Sequence, residues 1–220
     1  MALTDTSFLK INEIFLSIQG ESTWAGMPCV FVRLSGCSRR CSWCDTAYAF
    51  QEGKEMSVED VLNKVETFGV KLVEVTGGEP LEQGDVGILM ETLLMMGYEV
   101  LLETGGAVDI SGVPLDVIKV MDIKCPSSGE ESRNLWTNLG KLRRWQDEIK
   151  FVILDRADYD YAKSVIQRNE LADAHELLLS PVHGRLNPAE LADWIISDRL
   201  PVRLQLQMHK YIWPNDSKGR

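Results

Sequence analysis

Three cysteines stand close together in Gly36-Cys37-Ser38-Arg39-Arg40-Cys41-Ser42-Trp43-Cys44-Asp45-Thr46, at the spacing C-x3-C-x2-C. Thiolates spaced this way can surround one inorganic centre. A four-iron cluster is ordinarily held by four thiolates, so three would leave one iron open to a non-protein ligand. Structural zinc is the competing reading, with Cys29, Cys125 or a histidine as fourth ligand. A second stretch that could do chemistry is Thr76-Gly77-Gly78-Glu79-Pro80. Its glycines let a backbone edge approach a ligand closely. Taken alone, it is equally well a turn.

Both stretches follow apolar runs that read as strands. Residues 11–18 form a first strand, ending in Gln19-Gly20-Glu21, and 29–34 deliver the chain into the cysteine loop. Ser57 caps a helix with Asp60 as reciprocal partner, and Val58, Val61, Leu62, Val65 and Phe68 share its apolar face. Residues 70–75 are a strand stopped by the glycine-rich turn, and 85–96 an apolar helix closed by Gly97. Strands at 98–102 and 117–123 lead into Glu103-Thr104-Gly105 and Lys124-Cys125-Pro126. The pattern continues with a helix at 134–145, a strand at 148–154, a helix at 159–168 and a short strand at 176–179 before Ser180-Pro181. Asn187-Pro188 opens another helix. The last strand, 201–207, precedes Met208-His209-Lys210, and the polar end from Trp213 is expected to fray.

Alternating strands and helices predict an α/β domain with a parallel sheet and right-handed crossovers, one domain over 1–220. The expected architecture is a partial parallel β/α barrel of about six strands, with a doubly wound open sheet as the alternative. The placement of motifs favours the barrel. All of them follow the carboxyl ends of strands, which share one face in a barrel.

Composition narrows the function classes. The 220 residues carry 23 basic against 33 acidic side chains, a net charge of -10. That excludes a broad nucleic-acid footprint. Five cysteines, three of them clustered, do not form a disulfide framework in a chain of this size and point to a reducing compartment. There is no signal-peptide pattern and no apolar run of membrane-spanning length. The expectation is a soluble cytoplasmic protein.

The cysteine spacing and the glycine-rich turn together resemble the radical S-adenosylmethionine superfamily. Phe15-Leu16-Ser17-Ile18-Gln19-Gly20-Glu21, Phe31-Val32-Arg33-Leu34-Ser35-Gly36-Cys37, Cys44-Asp45-Thr46 and His209-Lys210-Tyr211 narrow the resemblance to the 7-carboxy-7-deazaguanine synthases. The likeness runs from about Ile11 to Tyr211 and is strongest up to Glu103. It implies ring contraction of 6-carboxy-5,6,7,8-tetrahydropterin, with loss of ammonia, for queuosine-type 7-deazapurine pathways. Hydrogen is taken from C6 by a radical that a reduced cluster releases from S-adenosylmethionine.

The same resemblance implies residue roles. Cys37, Cys41 and Cys44 would hold the 4Fe-4S cluster, and the Thr46 hydroxyl would contribute to Mg2+. Ile18, Gln19, Gly20, Glu21, Arg33, Thr76 and His209 would meet the substrate, although a lone late histidine is as often structural. Trp43, Cys44, Asp45, Gly78, Glu103, Asp122, Lys124 and Ser180 would meet S-adenosylmethionine. Where the familiar form has Ser-Pro-Lys, this chain has Asp122-Ile123-Lys124, which changes the side chain available to the cofactor. An electron donor such as a flavodoxin or ferredoxin, and a homodimer, are also implied. A glycyl-radical activase shares the cysteine spacing but leaves Gln19-Gly20-Glu21 unexplained. A zinc-binding or electron-transfer module leaves the glycine-rich turn unexplained.

Overall fold

A computed structural model describes residues 7–213 and residue 219. Nine strands form one sheet in the order β3-β1-β2-β4-β5-β6-β7-β8-β9. They are β1 (Phe8–Ile18), β2 (Pro28–Leu34), β3 (Lys54–Ser57), β4 (Leu72–Gly77), β5 (Glu99–Thr104), β6 (Ile118–Ile123), β7 (Glu148–Ile153), β8 (Glu176–Pro181) and β9 (Arg203–Leu204). β1 runs antiparallel to both β2 and β3, and every pair from β2 to β9 is parallel. The parallel strands succeed one another in chain order, without the reversal that marks a doubly wound sheet. The winding is therefore that of a barrel, and the sheet stays open because β3 and β9 are its edges.

Period-2 alternation divides each strand between two environments. Val30, Val32 and Leu34 of β2, Val73 and Val75 of β4, and Ile149, Phe151 and Ile153 of β7 join one large apolar core. The helices α1 (Val58–Glu66), α2 (Val86–Met95), α3 (Arg156–Arg168) and α4 (Pro188–Asp198) contribute Val61, Leu89, Tyr159 and Leu191 to it. Each such side chain contributes roughly 1.5–3 kcal/mol when fully buried. The alternate residues face inward. Phe31, Leu72 and Leu101 make a small apolar floor with Cys29. Arg33, Glu74, Thr76, Glu103, Asp122, Lys150 and Ser180 surround a cavity. Their shared cavity shows that the sheet curls around its inner face.

Helix starts follow the local chemistry. Ser57 Oγ accepts from Asp60 N at 3.0 Å, and its hydroxyl donates to the Asp60 carboxylate at 2.7 Å. The cap is thus as expected, but the reciprocal bond goes to the hydroxyl and not to the Ser57 amide. Asn187 Oδ1 accepts from Ala189 N at 3.0 Å.

Three expected elements differ. In place of the helix at 134–145 there is one 3-10 stretch, Trp136–Lys141, preceded by a 3-10 turn at Glu131–Arg133. Asn134 spends its side chain on the backbone of Lys124, and Asn138 on Ile110, Gly106 and Val108. These bonds compete with a continuous helix. The last strand shrinks from 201–207 to Arg203–Leu204. His209 consequently leaves the sheet and starts a single helical turn, α5 (His209–Ile212). β3 was not foreseen. The expected fraying from Trp213 falls on positions that, beyond Trp213 itself and Gly219, lie outside the described residues. Among the described residues no helix is long and apolar enough to cross a membrane.

Candidate active site

The cysteine loop leaves β2 at Gly36 and is welded to the glycine-rich turn. Gly78 N donates to Leu34 O at 3.0 Å, and Glu79 N to Gly36 O at 2.8 Å. A Cβ on Gly78 would overlap the Gly36 carbonyl, and one on Gly77, whose φ is +149°, would overlap Leu34. Both positions need glycine because two backbones meet there.

One buried ion pair locks this junction. Arg39, between the first two clustered cysteines, donates to the Glu79 carboxylate and to Gly105 O. Glu79 has no exposed surface. It also accepts from Thr104 Oγ1 at 2.7 Å and Gly105 N at 2.9 Å. On the outer side, Ser38 donates its amide and hydroxyl to Glu82 and accepts from Arg133 at 2.8 Å on its carbonyl. Ser42 is held by the carbonyls of Ser127 and Ser128.

Cys37, Cys41 and Cys44 are half-buried and open onto the cavity, which measures about 660 Å³. Cys29 and Cys125 have no exposed surface, and burial pushes both thiols up. No fourth cysteine therefore reaches the cavity, and the donor set is the three-thiolate set that leaves an iron open. Among the described residues no three His, Cys, Asp or Glu side chains are drawn in as they would be around a single ion. Three thiols at the cavity with no fourth cysteine beside them match a four-iron cluster with one iron left open.

The other residues singled out by sequence all line the same cavity. Arg33 pairs with Glu13 through Nε at 2.8 Å, and Tyr48 donates to the same carboxylate at 2.9 Å. Thr46 precedes the 3-10 turn Ala47–Phe50, yet its hydroxyl makes no capping bond and lies 3.7 Å from Cys44 Sγ. Asp122 Oδ2 accepts from Lys124 Nζ at 2.7 Å, whereas the buried Oδ1 has no partner among the described residues. Trp43, Asp45 and Gly78 stand on the cysteine-loop side, Ser180 at the end of β8. Ile18 and Gly20 lie at the end of β1, and a Cβ on Gly20 would strike the His209 ring. His209 is thus placed in the cavity by α5, not by a strand.

Sequence reasoning passed over Arg39, Glu74 and Lys150. Lys150 Nζ donates to Glu21 at 2.8 Å and also to Glu103. Burial opposes the lysine's charge, but Glu103 and Glu21 outweigh it and hold Lys150 well above its ordinary value. Glu21 is lowered in turn, because Lys150 overcomes the effect of burial. Thr76 donates to Glu103 at 3.2 Å, and Gln207 to Glu21 at 2.9 Å. The signal for Glu74 and Lys150 was present in the sequence. Each is a charged residue set between apolar neighbours at an inward position of its strand. Arg39 carries no such signal, since its partner lies 40 residues away.

Residues 31–121 match the radical SAM superfamily. A 7-carboxy-7-deazaguanine synthase of Koribacter versatilis is 42% identical over 226 residues, covering 96% of this chain and 100% of the relative. The enzyme of that name from Chlorobaculum tepidum is 45% identical over 215 residues, covering 96% and 97%. The crystal structure of QueE from Escherichia coli superposes with a TM-score of 0.76 at 24% identity, over 92% of this chain and 95% of that one, and shares the fold.

The clamp makes a stability prediction. Arg39→Met strands the buried Glu79 carboxylate and should lower unfolding free energy by about 3–5 kcal/mol, measured by denaturant titration. The double variant Arg39→Met with Glu79→Leu should recover part of the loss. Equal destabilisation in both variants would show that the pair matters only as packing.

Proposed function

This chain belongs to the 7-carboxy-7-deazaguanine synthases of the radical SAM superfamily, and on that premise we propose that the cavity beside the cysteine loop brings cluster, cofactor and pterin together. It is a radical SAM enzyme of deazapurine biosynthesis. The observation that carries the site assignment is the common opening of three half-buried thiols, the glycine-rich edge and the polar inner layer onto one space.

Cys37, Cys41 and Cys44 hold the 4Fe-4S cluster, which with S-adenosylmethionine supplies one-electron chemistry able to open a C–H bond. The chain's own residues orient the reactants. Trp43, Cys44, Asp45 and Gly78 present backbone to the cofactor, and Glu103, Asp122, Lys124 and Ser180 present side chains. The open Asp122 Oδ1 is a buried acceptor that calls for a donor from a bound molecule. It supplies the side-chain contact that Ser would make in Ser-Pro-Lys. Ile18, Gln19, Gly20, Glu21, Arg33, Thr76 and His209 surround 6-carboxy-5,6,7,8-tetrahydropterin. Arg33 brings a planar cationic fork suited to its carboxylate. The Thr46 hydroxyl, not spent on capping, contributes one oxygen to Mg2+ beside the substrate. Holding the reacting carbon in place and excluding water are the protein's part. An electron donor such as a flavodoxin or ferredoxin, a homodimer and a cytoplasmic setting complete the proposal.

Three measurements test it. Replacing Cys37, Cys41 or Cys44 by Ala should leave folded protein poor in iron and sulfide, while Cys29→Ala or Cys125→Ala keeps the iron. Full loading of Cys41→Ala would overturn the ligand assignment.

Substrate deuterated at C6 should pass deuterium to the 5′ carbon of recovered S-adenosylmethionine and yield 7-carboxy-7-deazaguanine. Reduced, iron-replete enzyme with magnesium that does neither would end the functional reading.

Thr46→Ala should flatten the response of turnover to magnesium. Coincident titrations for variant and wild type would make Thr46 a turn residue only.

A further inference from the structure

Three of the carboxyls that line the cavity, Glu21, Glu74 and Glu103, interact with one another and are not equivalent. Glu21 and Glu103 share the single cation of Lys150. Glu74 has no cation of its own. Its Oε2 accepts from Gln19 Nε2, and Oε1 takes no hydrogen bond from the described residues. It is 5% exposed, and its strand neighbours in register are Phe31 on β2 and Leu101 on β5. Below it lies the floor of Phe31, Leu72 and Leu101. A carboxyl set on an apolar floor, with one oxygen open to the cavity, is costly unless a bound molecule donates to it.

Its position says which part of a ligand arrives there. Gln19, bonded to Glu74, and Thr76, two residues further along the same face of β4, are both assigned above to the substrate. Arg33 is opposite Thr76 in register, one inward step nearer the cysteine loop than Phe31. A flat bicyclic acid entering with its carboxylate toward Arg33 therefore sends its far ring edge down to Glu74. In a 2-amino-4-oxopyrimidine that edge carries two parallel N–H donors, on N3 and on the 2-amino group. The two oxygens of one carboxylate match them.

We propose that Glu74 is the specificity-determining residue that reads the aminopyrimidinone edge of the pterin, receiving N3–H and a 2-amino N–H. The proposal rests on the functional reading above and adds the recognition of the second ring. It also has a protonic consequence. Burial pushes Glu74 up to about 8, with the neighbouring Glu103 adding to the effect. The titratable groups that face it are Glu103 on β5, Glu21 on the loop after β1, Lys150 on β7 and Cys29 on β2. Free enzyme at pH 7 thus carries a proton on Glu74. Two N–H donors favour the carboxylate, so binding lowers its pKa and releases that proton to solvent. Release is present between the lowered pKa of the complex and about pH 8, and vanishes above that, where the carboxylate is already ionised in the free enzyme.

The test uses full-length, cluster-loaded enzyme with S-adenosylmethionine but no reductant, so that binding proceeds without turnover. Calorimetric titration with 6-carboxy-5,6,7,8-tetrahydropterin at pH 7, in two buffers of different ionisation enthalpy, should show net proton release that fades by pH 9. The analogue lacking the 2-amino group should bind about 10- to 100-fold more weakly, as expected for losing a bond to a charged partner. Glu74→Gln, checked for iron content and unfolding midpoint, should abolish the release and bind the analogue nearly as well as the pterin. A Glu74→Gln enzyme that still discriminates fully between the two would overturn the proposal. Should the variant not load iron, wild type decides alone: no proton release and equal affinity for pterin and analogue would overturn it. Wild type that makes product yet fails these binding tests refutes the role of Glu74 only. Wild type that makes no product refutes the functional reading beneath it.

Discussion

The architecture of the cavity mouth depends on one buried ion pair, Arg39 with Glu79. Burying two charges is expensive, and the cost is offset only when geometry and further hydrogen bonds are good. Here they are: Glu79 takes Thr104 and Gly105 as well as Arg39, and Arg39 takes Gly105 O. The pair therefore fixes three loops to one another, those that follow β2, β4 and β5. Thiols, glycine edge and Glu103 owe their common orientation to it. The glycines at 77 and 78 are the steric counterpart, because only bare backbone lets the loops come close enough for the charges to meet.

Much of this was legible in residue order. The cysteine spacing, the glycine-rich turn and the position of each after an apolar run were enough to set them on one face of a wound sheet. Arg33 and Thr76 came from the family resemblance, and strand alternation is what sets them on the inner face. Other parts were hidden for identifiable reasons. Asn134 and Asn138 sit in a stretch whose apolar spacing suits a helix, but their amides are used on distant backbone, which local periodicity cannot register. His209 depended on where the last strand stops. β9 ends early, and the chain turns back to place the imidazole against Gly20. Arg39 looks like any exposed loop arginine until its partner is brought across the fold.

The inner layer has an electrostatic logic of its own. The cavity lining sets Glu13, Glu21, Asp45, Glu74, Glu103 and Asp122 against Arg33, Arg39, Lys124, Lys150 and Lys210. Lys150 serves two carboxylates and Lys124 one. Two acceptors, on Glu74 and Asp122, remain for bound molecules. Pre-placed acceptors of this kind select ligands rich in N–H and O–H groups, since a ligand without them leaves the acceptors desolvated and unpaired.

The segments that follow β1 and β9 meet without pairing as strands: Met208 N donates to Gly20 O at 2.9 Å, and Gln207 reaches both Glu21 and Asp45. During synthesis the cysteine loop leaves the ribosome roughly 160 residues before this seam can form, at about 5–20 residues per second. For that interval of several seconds or more, the thiols face solvent in a half-built sheet. The turn after β9 therefore acts as the keystone of vectorial folding: it converts an accessible thiol loop into a walled chamber only once the residues beyond 207 have emerged.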